Sequence, residues 1–313
     1  MSSPASAPGL LNFLYGHVPV KGVPPMHFEE RGNPRQFLID EGAVEDSSMI
    51  VPNLGYVKYF AWYTAINTCS DNQIRRWDCR DCSNVPTSKF VTSFDNADSS
   101  GHGYIAIDRA SKRIICSFRG SVDSRDEIRE SRILRKPYVY ANEKNVTVAA
   151  RFLEIMESLD FVTPLKPILG NYTYSDYKIA FVGHSLGGAL ASLALPKVQS
   201  VYKLDWKRLE LYTYGQPRTG NLNFARWYNK KTIASARVVN NTDPVPHDSD
   251  AALADYHHHM NELWIEGPPD SYKLNICSND QLEDPECSYK ATPSELKRDD
   301  HLVYFGVDLA REC

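Results

Sequence analysis

The 313-residue sequence has no apolar run of the roughly 18 to 20 residues that a bilayer-crossing helix needs, which excludes a helical transmembrane anchor. It has no internal repeat and no low-complexity tract, so solenoid and fibrous architectures are excluded as well. Positive charge is not in excess: 35 Lys and Arg stand against 39 Asp and Glu, a net charge of −4. The basic residues are interspersed with acids rather than gathered into one face, which argues against a nucleic-acid surface. Missing too is a signal-peptide pattern, because "MSSPASAPGLLNFLYGHVPVKGVPP" has no basic residue ahead of its short apolar patch and has prolines soon after it. What is present, 42% hydrophobic and 24% charged residues, is the composition of a globular protein with a large core.

Residues 1–52 are proline-rich and lack sustained periodicity, and read as a propeptide-like or surface-wrapping extension ahead of a folded domain at 53–313. Seven cysteines stand at 69, 79, 82, 116, 277, 287 and 313. Cys79 and Cys82 form a C-x-x-C pair, but no second close pair or Cys/His cluster follows at zinc-knuckle spacing, so disulfides are favoured over a metal. Neither a metal site nor a cofactor is expected. Sequons at Asn145, Asn171 and Asn240 point to an oxidising compartment too. The expectation is a soluble, secreted protein whose leader is not part of this chain, with N-glycans at Asn145 and Asn171.

Beyond residue 53 the pattern alternates between element types. "GYVKYFAWYTAIN" has helical spacing, and "GYIAID" and "RIICSF" read as strands joined by the turn "RASK". A helix is predicted over 148–169, a strand over 178–182, a helix over 186–198, a strand at "LELYTY", a helix at "NFARWYNKK" and strands at "ARVVN" and "NELWI". Such alternation predicts an α/β fold, a single domain with a mainly parallel central sheet and helices on both faces.

Ser185 then falls at the carboxyl end of a strand, inside Gly183-His184-Ser185-Leu186-Gly187. This is the G-x-S-x-G elbow, in which a tight strand-to-helix turn lifts a serine oxygen above the sheet. The flanking glycines are needed because a Cβ on either would collide where the strand and helix backbones approach. A serine hydroxyl becomes a strong nucleophile only when a histidine takes its proton and a carboxylate orients that histidine. Elbow enzymes place these in the order Ser, Asp, His, which selects Asp243 in "VVNNTDPVPH" and His301 in "RDDHLVYFG". His257, His258 and His259 are adjacent, so their side chains point apart and do not readily share an ion. His184 reads as structural, and Asp299 and Asp300 as solvated or capping residues.

The ordered pieces "SFRGS" (117–121), "VGHSLGGALASL" (182–193), "YTYGQPRTGN" (212–221), "DPVPH" (243–247), "ELWI" (262–265) and "DHLVYFG" (300–306) resemble the fungal class 3 lipase family, the Rhizomucor-type triacylglycerol lipases. The resemblance implies an α/β-hydrolase-like fold with Ser185, Asp243 and His301 as the triad. It also implies an oxyanion hole made by Ser121 and the backbone N–H of Leu186. A lid segment would occupy 122–136, with Ile128, Ile133 and Leu134 as its main apolar side chains among many charges, a thin stripe for a surface that opens onto lipid. The family's H-x-G-F stretch has no clear counterpart in "NVTVAARFLEIM". Its cysteine pattern implies the pairs Cys69–Cys313, Cys79–Cys82 and Cys277–Cys287, leaving Cys116 as a small buried hydrophobe.

The function implied is a secreted serine carboxylic-ester hydrolase acting on acylglycerols at a lipid–water interface through an acyl-serine. Two alternatives stand beside it: an esterase for polar or aromatic esters of the feruloyl-esterase kind, and a catalytically silent hydrolase fold used for binding. No nucleic-acid partner is expected.

Overall fold

A computed structural model describes residues 50, 52–96, 101–121, 134–247, 255–259, 261–279, 282–311 and 313. The extension predicted over 1–52 lies almost wholly outside them. Its last part is pinned where Ile50 bridges Ala234 in parallel.

The strands, in chain order, are β1 (Ser88–Asn96), β2 (Gly101–Asp108), β3 (Arg113–Phe118), β4 (Arg135–Pro137), β5 (Thr147–Ala149), β6 (Lys178–His184), β7 (Leu209–Tyr214), β8 (Gly220–Asn221), β9 (Ala234–Asn240), β10 (Tyr256–His257), β11 (Glu262–Glu266), β12 (Lys273–Ile276), β13 (Val303–Tyr304) and β14 (Val307–Asp308), the last two pairing as a small sheet of their own. The described residues form an eight-stranded sheet in the order β1-β2-β3-β6-β7-β9-β11-β12. Its centre, β3-β6-β7-β9-β11, is parallel throughout. The edges are antiparallel: β1 and β2 on one side, β12 on the other. A parallel sheet needs both faces covered, and the sequence supplies residues for both. Ile179 and Phe181 of β6 join one core, Ala180 and Val182 the other, as the period of two along a strand requires.

On the first face lies helix Leu186–Tyr202, whose residues from Leu186 to Pro196 are all buried, together with Ala150–Ser158 and Leu222–Asn229. On the second lies Leu54–Ile66, capped by the Asn53 side chain accepting from the Gly55 N–H at 2.8 Å. Its rings pack into the sheet, Phe60 standing 4.5 Å from Tyr212 between centroids. Among the described residues no helix is long and apolar enough to cross a membrane.

One expectation is corrected. The continuous helix over 148–169 is broken into β5, helix Ala150–Ser158 and helix Leu165–Leu169. Leu159 turns extended, the Asp160 carboxylate accepts from the Thr163 N–H at 3.0 Å, and Pro164 disfavours helical geometry in the residue before it. The residues of β5 instead join a second, four-stranded sheet in the order β10-β8-β5-β4, whose strands of two or three residues carry no readable period. Strand β1 was not anticipated either, because as an edge strand it buries only Ser88 and Phe94 fully.

The structure contains the disulfides Cys69–Cys313, Cys79–Cys82 and Cys277–Cys287, and Cys116 is free and fully buried in β3. The first ties the turn after helix Leu54–Ile66 to Cys313 across 244 residues, a closure worth on the order of 5 kcal/mol in the chain-entropy treatment.

Candidate active site

Strand β6 ends at His184 and the next helix begins at Leu186, so the whole reversal falls on Ser185, held at φ 55° and ψ −128°. That conformation is costly for a residue with a side chain and persists only where its surroundings enforce it. The enforcement is close packing. A Cβ on Gly183 would stand 2.1 Å from the Gly187 carbonyl oxygen, and one on Gly187 would stand 2.2 Å from that of Phe118. Only glycine lets the helix start against the ends of β6 and β3.

Ser185 Oγ lies 2.9 Å from His301 Nε2, and His301 Nδ1 lies 2.8 Å from Asp243 Oδ2. With the Nδ1–H donated to the carboxylate, Nε2 is left to accept the serine proton. Asp243 is fully buried in the loop that follows β9; its Oδ1 accepts the Val245 N–H at 2.8 Å and its Oδ2 accepts the Tyr304 hydroxyl. Burial alone would raise its pKa, but the His301 charge and the hydrogen bonds from His301, Tyr304 and Val245 hold it below the usual carboxylate range. It therefore stays ionised.

His301 sits in a short 3-10 turn, Arg298–His301, with no regular element to fix it. Side chains do so instead. The His184 Nε2–H donates to the His301 carbonyl at 2.7 Å, and the two rings lie 4.5 Å apart. The Asn240 amide donates to the carbonyls of Asp300 and Val303 at 3.0 and 2.9 Å. Asp300 is thus more than solvated or capping, as its carboxylate accepts from both the N–H and the hydroxyl of Thr242, next to Asp243. Gly215 follows β7 at φ 57°, and a Cβ there would press within 2.8 Å of Asp243 Oδ2, His301 Nδ1 and the Tyr304 oxygen.

Ser121 is half-buried and follows Gly120, where a Cβ would stand 3.4 Å from the Ser185 Cβ, so the loop after β3 lies against the nucleophile. Leu186 opens the helix whose N–H groups and dipole point toward Ser185. Of the lid residues, Ile128 and Ile133 lie outside the described residues; Leu134 is 71% exposed just before β4. Of the histidine cluster, His258 Nε2 donates to the Pro246 carbonyl at 3.0 Å and His259 pairs with Gln216, so the side chains diverge. The sequon residue Asn240 is buried and its amide is doubly engaged, which removes it as a glycosylation acceptor. Asn145 and Asn171 are exposed. Sequence reasoning missed Tyr304, Asn240 and Gly215 as parts of the site, although all lie in or beside the quoted motifs.

The family description that matches this chain is "Lipase (class 3)", over residues 115–251. The crystal structure of a lipase from Rhizopus microsporus var. chinensis is 31% identical, with a TM-score of 0.71 over 83% of this chain and 90% of that one. The chain belongs to the class 3 lipase family. Rhizomucor miehei triacylglyceride lipase, another solved structure, superposes with a TM-score of 0.73 at 28% identity over 82% of this chain and 96% of that one. The Rhizopus niveus lipase is 32% identical over 237 residues, 74% of this chain; the chain spans 58% of the length of that relative. The fold, a mainly parallel sheet with the elbow at its centre, is that of these class 3 lipases.

Proposed function

We propose that this class 3 lipase-family chain is a serine hydrolase of acylglycerol esters that works through a covalent acyl-enzyme. The observation that supports it is the unbroken hydrogen-bonded series from Ser185 Oγ through both nitrogens of His301 to ionised Asp243. His301 Nε2 takes the hydroxyl proton as Ser185 Oγ bonds to the ester carbonyl carbon, and the new imidazolium is stabilised by Asp243. The oxyanion is held by the Leu186 N–H and by Ser121. Collapse of the adduct breaks the bond to the alcohol oxygen, which takes the proton from His301; water, activated the same way, then releases the acid. The acylglycerol class is supported by the likeness to the R. miehei triacylglyceride lipase. Rates on tributyrin, emulsified triolein and methyl ferulate test it: tributyrin and triolein should be cleaved and the ferulate slowly or not at all. Preferential cleavage of the ferulate would replace this reading with the aromatic-ester one.

We infer further that the protein is secreted, acts at a lipid–water interface and carries N-glycans at Asn145 and Asn171, with residues 1–52 as an extension to the catalytic domain. Three disulfides and the exposure of both asparagines support this. Thiol labelling under denaturing, non-reducing conditions should find Cys116 alone. Its burial raises the thiol pKa far above the ordinary value, so labelling of the native protein should be slow. Seven reactive thiols would refute the oxidised assignment.

A further inference from the structure

Asp95 at the end of β1 and His102 at the start of β2 face each other directly across the antiparallel ladder. Asp71, the first residue of helix Asp71–Arg76, closes the third side. One ligand atom from each of the three side chains lies within 4.8 Å of the others. Asp71 and Asp95 are exposed, whereas His102 is only 5% exposed. Its Nε2 is sealed from solvent and has no hydrogen-bond partner. It faces Asp71 Oδ1 at 3.4 Å, too far for a good hydrogen bond. An orphaned buried nitrogen aimed between two carboxylates calls for a ligand, since such groups are satisfied in nearly all folded proteins.

We propose that Asp71, Asp95 and His102 form a binding site for a divalent transition-metal ion. Two ligands about 2.1 Å from a tetrahedral ion stand about 3.4 Å apart, the separation already found between Nε2 and Asp71 Oδ1. One imidazole with two carboxylates is a nitrogen-and-oxygen set suited to zinc, cobalt or nickel rather than to magnesium or calcium. The guanidinium of Arg119 stands near His102. The Arg119 charge opposes a cation, and the two carboxylates outweigh it. Two other groupings, Cys69 with Cys79 and Cys313, and Glu262 with Cys277 and Cys287, bring the right elements together but have their sulfurs committed to disulfides. The site is structural in kind: it joins helix Asp71–Arg76 to the β1–β2 hairpin, and open positions on the ion are left to water.

Zinc titrated calorimetrically into the intact, chelator-stripped protein tests this, beside Asp71→Asn, Asp95→Asn and His102→Gln. The wild type should bind zinc at one site per chain that each substitution weakens at least about tenfold, the scale on which even the outer partners of metal ligands count. The Nε2 resonance of His102 should shift on binding, and zinc should raise the thermal midpoint of the wild type only. The two carboxylates are exposed, so their amide variants fold even where His102→Gln does not. No zinc binding by the wild type, or unchanged affinity in both amide variants, would overturn the proposal.

Discussion

The two halves of the candidate site are held by different physics. Ser185 is placed by backbone sterics: a strand and a helix meet so closely that glycine is demanded at 183 and 187 and the serine between them is forced to positive φ. His301 and Asp243 stand on loops and are placed by polar side chains, with His184, Asn240, Asp300, Thr242 and Tyr304 each making at least one hydrogen bond into the two loops. Sterics place the nucleophile in an all-or-none way. The base and acid are held by several bonds of roughly 1 to 3 kcal/mol each, so their position should degrade by degrees.

The largest effects should come from removing the reacting groups themselves. Ser185→Ala should lower kcat by about 10⁶ with the fold intact, His301→Ala by a similar factor, and the double variant by no more than either alone, because members of a triad act as a unit. Single-turnover kinetics on a chromogenic short-chain ester would show it. Multiplicative losses in the double variant would mean that the two do not share a step.

Next in size, and decisive for the contrast, is Gly187→Ala against Tyr304→Phe. The added methyl has nowhere to go against the Phe118 carbonyl, so the alanine variant should fail to fold or lose its elbow and nearly all activity. Tyr304→Phe removes one hydrogen bond to Asp243 and should lower kcat about tenfold with KM little changed, the size expected for one bond to a charged group. It should also raise the Asp243 pKa, since that bond helps to lower it. The folded carboxyl is depressed, so its stability contribution is present above the unfolded pKa of about 3.9 and lost as pH falls through the lowered folded value. In Tyr304→Phe the loss should be complete at a higher pH. Equal damage from the two substitutions would erase the distinction between the halves.

The same contrast explains what was legible in the sequence. The elbow involves five consecutive residues, and its chemistry is local: apolar strand, two obligatory glycines, small-residue helix. Asp243 and His301 follow from chain order, and the structure brings both to Ser185. Their supports are distant in sequence, Asn240 reaching across 60 residues to Asp300, and an asparagine in N-N-T reads as a sequon until its burial is known. The parallel centre of the sheet was readable because short β-rich segments alternate with helical stretches along the chain, although β7, β9 and β11 carry the buried polar residues Glu210, Arg237 and Glu262 within them. The four short strands β4, β5, β8 and β10 were not, because two or three residues have no period, and the break at Leu159 was masked by apolar residues on both of its sides.

A further effect is on pH-dependent stability, and it belongs to His184. Its buried ring donates to the His301 carbonyl and lies tilted against the base, and burial, with the neighbouring His301 charge, lowers its pKa to about 3. A neutral His184 adds no repulsion when His301 takes the serine proton, so the low value suits the chemistry. The cost falls in acid. Below about 6.5 the unfolded chain protonates this histidine while the folded chain does not until about 3, so the stabilisation is full above 6.5 and drains away as pH falls through that window. His184→Gln should remove one proton's worth of this slope, about 1.4 kcal/mol per pH unit between pH 4 and 6. The similarly buried His258, whose pKa is also lowered, keeps its own share in the variant. Urea unfolding at half-unit pH steps would measure the difference. An unchanged slope would mean that the ring takes up its proton in the folded protein, and a charged ring beside His301 would place an electrostatic cost on the base arm that hydrogen bonds alone do not describe.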